Sequence, residues 1–487
     1  MKTVAKANLT SAKLLWSLVL IYFGLFIAHC EQSQTNKEDA LGDNVDKLVQ
    51  DKMIQEHIPG LALAVIKDGK ILKAQAYGLA DMDSKVSVTT DPAFRIGSMS
   101  KQFVATAIMM LVEEGKLHLG DPVSKYLDGT PATWKQITIR HLLTHTSGIP
   151  DFLNEDISVR WWFYGFDRSV LKALAARPLH FAPGDDWRYS NSNYQLLGMI
   201  IHKVTGEAYG DFLRERIFQP LGMIQTAVSP MRGSFPCLAV GYSWKNNRLQ
   251  PFDDEAAAVK AYAGGDIIST VSDMAKWDAA LYSEKLLKQS SLEQMWTPVS
   301  LNDGMKARYG FGWETSGRGD GGHLVVSHGG LFIGFTSAIY RAVDDQLTVI
   351  ILDNRQDPYE EPERLSQEIA RLYVWKGPGY QSIADPEPEM TAHLRDVIDR
   401  SESGKSRMED FTAAEWAEWK PWQKQAQLDR AAFSPALSLA LVQRTEENGR
   451  RSCRYLVQYG FGTVLLHIII DEQNKIALWE AEDVDLK

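Results

Sequence analysis

Apolar residues run unbroken from Gly60 to Ile66, give way to Lys67-Asp68-Gly69-Lys70, and resume from Ile71 to Tyr77. Two such runs joined by an Asp-Gly pair predict a β-hairpin. The pattern returns late in the chain, where Thr336 to Tyr340, Ala342 to Asp345 and Leu347 to Leu352 predict further strand and turn. Helical spacing of apolar positions lies between, at Gln102 to Glu114, Ile139 to Leu143, Ser169 to Ala176, Asn193 to Val204, Tyr209 to Ile217 and Val271 to Leu281. Val45 to Gln55 and Pro362 to Tyr373 add a helix outside each set of strands. The simplest assembly is α+β: an antiparallel sheet built from both ends of residues 43–376, flanked by helices, with a helical subdomain inserted in the middle.

A break follows at residues 377–389, where Gly377-Pro378-Gly379 and Asp385-Pro386-Glu387-Pro388 read as a linker. Residues 390–487 then predict helices at Met390 to Ser401 and Ala413 to Ala426, followed by four strands starting at Leu437, Cys453, Val464 and Ile476. Helices followed by a meander describe a second, small α+β domain with a curved sheet. No chemistry is legible in it.

The first 30 residues carry a different pattern. Lys2, Lys6 and Lys13 precede the apolar run Leu14 to Ala28, and a polar stretch begins at Glu31. This order predicts an exported chain, periplasmic or extracellular, with a cleaved signal peptide or an N-terminal membrane anchor. Ile27-Ala28-His29-Cys30 resembles a lipobox, with His29 where a small residue is usual, so lipidation at Cys30 is a third form of the same expectation. Only Cys237 and Cys453 lie beyond it, which gives no disulfide framework. A net charge of −10 over 487 residues, with no basic run, argues against nucleic acid as a partner.

The candidate chemistry starts at Ser98-Met99-Ser100-Lys101, ahead of an apolar helical run. Serine and lysine three apart at a helix start share a face, and a serine hydroxyl needs a neighbouring base to become a nucleophile. The helix N-terminus adds backbone N–H and a positive dipole end where an oxyanion could form. Alone, the tetrapeptide also describes a helix cap followed by a surface lysine. Two further elements change its meaning: Tyr189-Ser190-Asn191, and His328-Gly329-Gly330 just ahead of the late strands.

In that order the three resemble the serine β-lactamase and penicillin-binding superfamily, nearest the class C β-lactamases and the related esterases, D-amino-acid peptidases and DD-carboxypeptidases. Leu142 to Gly148, Ala263-Gly264-Gly265 and Tyr309 to Trp313 support it, over residues 43 to 375. The resemblance implies a serine hydrolase working through an acyl-enzyme without metal or cofactor, on small esters, amides or peptides. Ser98 would be the nucleophile, and Lys101 and Tyr189 the two candidate bases. Asn191 would bond Lys101 and a substrate amide. The backbone N–H groups of Ser98 and Leu331 would form the oxyanion hole, with Gly329 and Gly330 beside them on the substrate edge. His328 departs from the lysine of many β-lactamases, and a mostly neutral imidazole holds a substrate carboxylate weakly. The family's esterases and peptidases, some DD-peptidases among them, also use histidine here, which favours ester or peptide hydrolysis over an efficient β-lactamase; a β-lactamase proper or a D-Ala-D-Ala-type carboxypeptidase is the alternative. A sensor or scaffold with a retired site is the non-enzymatic rival.

Other signals carry less. His141 and His145 have zinc-ligand spacing, but Leu142 stands where a zinc peptidase needs glutamate, so helix-end hydrogen bonding is the expected role. Arg160-Trp161-Trp162-Phe163-Tyr164 reads equally as cleft lining and as packing under a loop. The absence of Gly-x-Ser-x-Gly argues against an α/β-hydrolase.

Overall fold

A computed structural model describes residues 42–89, 92–153, 166–228, 238–252, 262–304, 306–315, 324–356, 361–374, 382–402, 405–428, 438–447, 449–459 and 462–483. The N-terminal segment, Cys30, Cys237, the 160–164 aromatic cluster and Gly377-Pro378-Gly379 lie outside those residues. The chain divides into two compact units between Tyr373 and Val374.

The first unit is mixed α+β, organised around one sheet. Its strands are β1 (Gly60–Lys67), β2 (Lys70–Asp81), β3 (Val86–Ser87), β4 (Glu314–Thr315), β5 (Val325–Phe332), β6 (Phe335–Ala342) and β7 (Leu347–Asp353). The spatial order is β4-β5-β6-β7-β1-β2-β3, antiparallel throughout. Asp68 and Gly69 both take positive φ in the β1–β2 turn, 51° and 71°. That is the backbone a two-residue hairpin turn demands, and it is why an Asp-Gly pair stands there. The two ends of the unit meet at the central seam, where Leu61 faces Asp353 and Lys67 faces Leu347.

Helices cover the sheet. The first, α1, spans 42–55 and holds β2 through Asp46, which accepts from the Tyr77 hydroxyl at 2.5 Å and pairs with Lys73 at 2.8 Å. The next are α2 (Ser100–Glu113), α3 (Ile139–Leu143), α4 (Phe166–Ala175), α5 (Asn191–Thr205), α6 (Val271–Ala280) and α7 (Glu361–Val374). Residues Ser100 to Leu111 of α2 are buried without exception, so this helix is a core element rather than an amphipathic surface one. Phe103 packs on Trp277 of α6 at 4.4 Å, and the Trp277 indole N–H donates to Gln102. Asp278 ties α6 to the sheet, accepting from Arg341 on β6 and Thr348 on β7, each at 2.7 Å.

The second unit places α8 (Pro388–Glu402) and α9 (Ala413–Leu428) with a four-stranded antiparallel meander. Its strands are β8 (Ser438–Glu447), β9 (Arg450–Tyr459), β10 (Gly462–Ile470) and β11 (Ile476–Asp483). It has its own core of Leu394, Val397, Ile398, Tyr455, Val457 and Ile468, edged by Trp416, Trp419 and Trp479. The acid- and proline-rich stretch is not all linker. Ile383 donates its N–H to Leu441, and α8 opens at Pro388, a residue suited to a first helical turn.

Candidate active site

Ser98 lies in the 3₁₀ turn Gly97–Met99, immediately before α2. The turn is held from above by β5. A Cβ on Gly97, whose φ is 50°, would sit 2.6 Å from the Leu331 nitrogen, and one on Gly330 would sit 2.1 Å from the Ile96 carbonyl oxygen. Only glycine permits either approach. Ser337 on β6 completes the clasp, its hydroxyl donating to the Ile96 carbonyl at 2.9 Å. β4 pairs with β5 only at Val326 and Ser327, whereas β6 runs along all of it. Past Ser327, β5 runs on without β4 as a ladder partner, beside the turn that carries Ser98.

Lys101, the second residue of α2, is wholly buried. Its Nζ lies 3.0 Å from Ser98 Oγ, 2.9 Å from Asn191 Oδ1 and 2.6 Å from the Gly264 carbonyl oxygen. The rings of Tyr189 and Tyr194 stand 4.9 and 5.5 Å from the same nitrogen. Burial drives the Lys101 pKa down to about 7, against the opposing pull of the Asp151 carboxylate.

Tyr189 and Asn191 flank the N-cap of α5, and their segment is fastened to the loop after α3. Arg188 donates its N–H to the His145 carbonyl, and Ser190 donates its N–H to His145 Nδ1. The Ser192 hydroxyl donates to the Pro150 carbonyl at 2.6 Å. Asp151 accepts from the Asn191 side-chain Nδ2–H at 3.1 Å and from the Asn191 and Leu153 backbone N–H groups. His145, at φ 60°, packs against Tyr189 with tilted rings whose centroids are 4.4 Å apart, and burial holds its pKa well down. His141 is spent on a capping box with Thr138 at the start of α3.

His328, expected at the substrate edge as a mostly neutral imidazole, is 1 % exposed. Its Nδ1–H donates to the Gly329 carbonyl at 2.6 Å, and Nε2 accepts from the Tyr309 hydroxyl at 2.9 Å. Burial, together with the nearby Lys101, lowers its pKa to about 3, so it is neutral. Gly329 points to the opposite face of the sheet, where a Cβ would collide with Glu363 of α7. Leu331 turns its side chain outward, 41 % exposed, while its backbone covers Gly97.

The structure thus brings Ser98, Lys101, Tyr189, Asn191 and the His328–Leu331 edge together. Asp151 and the Gly264 carbonyl join them unforeseen. The signal for Asp151 was its position, an acid set between Ile149-Pro150 and Phe152-Leu153. Gly264 acts through its backbone, which no side-chain pattern reveals.

Known proteins match in the same region. The chain is 31% identical over 376 residues, 73% of its length and 81% of the other's, to penicillin-binding protein 4* of Bacillus subtilis. D-amino acid amidase from Ochrobactrum anthropi superposes with a TM-score of 0.56 at 27% identity, over 68% of this chain and 98% of the amidase. The octameric penicillin-binding protein homologue from Pyrococcus abyssi shares the fold, with a TM-score of 0.62 at 24% identity over 87% of this chain and 97% of that one. The family model described as Beta-lactamase matches residues 45–373, well over half of the chain and every residue around Ser98. By that match and that identity, the chain belongs to the Beta-lactamase family and is a serine hydrolase.

Proposed function

We propose that Ser98 is the acyl-enzyme nucleophile of an exported hydrolase acting on small esters and amides or peptides. The observation that carries this reading is the buried Lys101 amine against the Ser98 hydroxyl. A neutral amine has two N–H bonds and one lone pair. Asn191 Oδ1 and the Gly264 carbonyl are acceptors only and take the two N–H bonds, so the lone pair faces Ser98 Oγ. The Ser98 hydroxyl then donates its proton to Nζ as Oγ bonds to the carbonyl carbon. The carbonyl oxygen gathers negative charge between the backbone N–H groups of Ser98 and Leu331. Collapse breaks the bond to the alcohol or amine, which departs with the proton returned from Nζ, by way of the Tyr189 hydroxyl where geometry requires a relay. Water repeats the sequence on the acyl-enzyme and frees Ser98.

The neutral, enclosed His328 supports esters and amides over β-lactams, because it offers no fixed positive charge to a carboxylate. The amidase and penicillin-binding relatives support an amide or peptide bond within reach of the same chemistry. Hydrolysis of p-nitrophenyl acetate, D-alanine p-nitroanilide and benzylpenicillin, each with wild type and Ser98→Ala, tests the reading. Ester and anilide turnover lost in Ser98→Ala supports it, and Ser98-dependent fast turnover of the penicillin moves it to a β-lactamase. Turnover that survives Ser98→Ala overturns it. The charged and apolar residues 1–30 support export, with the mature chain free, anchored or lipidated at Cys30. Among the described residues no helix is long and apolar enough to cross a membrane. The N-terminal mass of protein recovered from the cell envelope separates the three forms.

A further inference from the structure

Asp151 has a task that the reaction needs and that no residue pattern assigned. We propose that Asp151 is a positioning residue for the Ser98 centre, orienting the Asn191 amide and supplying the negative charge that balances the buried Lys101. This rests on the reading of Ser98 as nucleophile.

An asparagine amide offers two nearly isosteric ends, and only the oxygen can receive an N–H from Lys101. Asp151 Oδ2 accepts from Asn191 Nδ2 at 3.1 Å, which turns Oδ1 toward Nζ at 2.9 Å. Its other oxygen accepts from the Asn191 backbone N–H at the first residue of α5, and from the Leu153 N–H. Burial raises the pKa of this group, which is 5 % exposed, while three converging N–H donors and the Lys101 charge oppose that rise and favour the carboxylate. A flipped Asn191 would press N–H against the amine and deny the lone pair its direction.

Charge is the second part. The groups around the Lys101 amine are Ser98 from its own turn, Asn191 and Tyr194 from α5, and Tyr189 just before it. His328 faces it from β5, His145 and Asp151 from the loop after α3, and the Gly264 carbonyl from the segment before α6. Both histidines are held neutral by burial. Among the described residues of this set, Asp151 is therefore the one anion. It works against the desolvation that would otherwise carry the amine below neutrality. A base much weaker than this would take the serine proton poorly.

The test follows covalent labelling of Ser98 by a fluorophosphonate, read by intact mass across pH 5 to 9. Wild type should label with a midpoint near pH 7. Asp151→Asn removes the charge with little change in shape, so its midpoint should move to lower pH by about one unit while its plateau rate falls. Asp151→Glu restores the charge and should return the midpoint to the wild-type position. Asn191→Ala keeps the charge, and should lose plateau rate with the midpoint unmoved. If Asp151→Asn does not give a cooperative thermal transition, Asp151→Ser is read in its place. A neutral variant that labels more slowly by one factor at every pH overturns the proposal, since that is what a merely structural role predicts. So does a neutral variant that labels like wild type. Wild type that labels elsewhere than Ser98 overturns the underlying reading instead, and Ser98→Ala distinguishes the two.

Discussion

At the scale of single residues, the site is a problem of where protons are held. The folded Lys101 amine has a pKa of about 7 against 10.5 for an unperturbed lysine. Between those values the unfolded chain binds more protons than the folded one, so this residue makes stability rise with pH from about 7 toward 10. Urea unfolding of wild type and Lys101→Ala should therefore show wild type gaining on the variant over that interval, and parallel curves would refute it. Activity should climb through the same midpoint, because only the neutral amine is a base. Lys101→Arg, charged at every accessible pH, should lose at least about a hundredfold in turnover. Tyr309→Phe removes the donor to His328 Nε2 and leaves a buried acceptor unmatched, at a cost of about 1–3 kcal/mol in stability measured by denaturant midpoint. Ser98, Lys101, Tyr189 and Asn191 were legible because their spacing is local, or because the resemblance carries them. The burial of His328 was not, since it depends on Tyr309 and the Gly329 carbonyl closing both ring nitrogens, and Tyr309 stands 19 residues away.

At the scale of elements, strand β5 holds the turn that carries Ser98. Gly330 lets that strand lie across the Ile96 carbonyl, and Gly330→Ala forces a Cβ into a 2.1 Å approach. Displacing the edge by about 1 Å should lower kcat/KM by about a hundredfold. The thermal midpoint should fall as well, because the collision is with backbone, and unchanged kinetics would refute the argument. The same strand shows where sequence reading stops. The hairpin at β1–β2 was plain from its apolar runs and its Asp68-Gly69 turn. The His328-Gly329-Gly330 segment of β5 was placed on an edge strand only by the resemblance, because two adjacent glycines suppress the alternation that marks a strand. The continuous helical pattern from Tyr209 to Ile217 hid another break. There the structure passes from an α-helix at Tyr209–Leu213 into a π-helical turn at Arg214–Phe218, a change in hydrogen-bond register that side-chain spacing does not record.

At the scale of the whole molecule, two units with separate cores divide the chain at Tyr373. A chain ending at Tyr373 should fold cooperatively and keep Ser98-dependent ester hydrolysis, with circular dichroism melting as the check. An unfolded product would mean the second unit is part of the first unit's stability. The α+β class was legible from runs of strand and helix, and the sheet order was not, because it depends on which distant runs pair. That pairing has a consequence in time. Leu61 and Asp353 face each other at the central seam though about 290 residues of chain lie between them. A ribosome must complete nearly all of the first unit before the middle of its sheet can close, and the edge beside Ser98 belongs to that late segment. The nascent polypeptide therefore carries its serine and its lysine long before it carries a reaction centre. Such delayed closure of long-range pairs makes folding slow, so the growing chain passes through an interval in which it is still unfolded and chemically inert, until its last strands arrive.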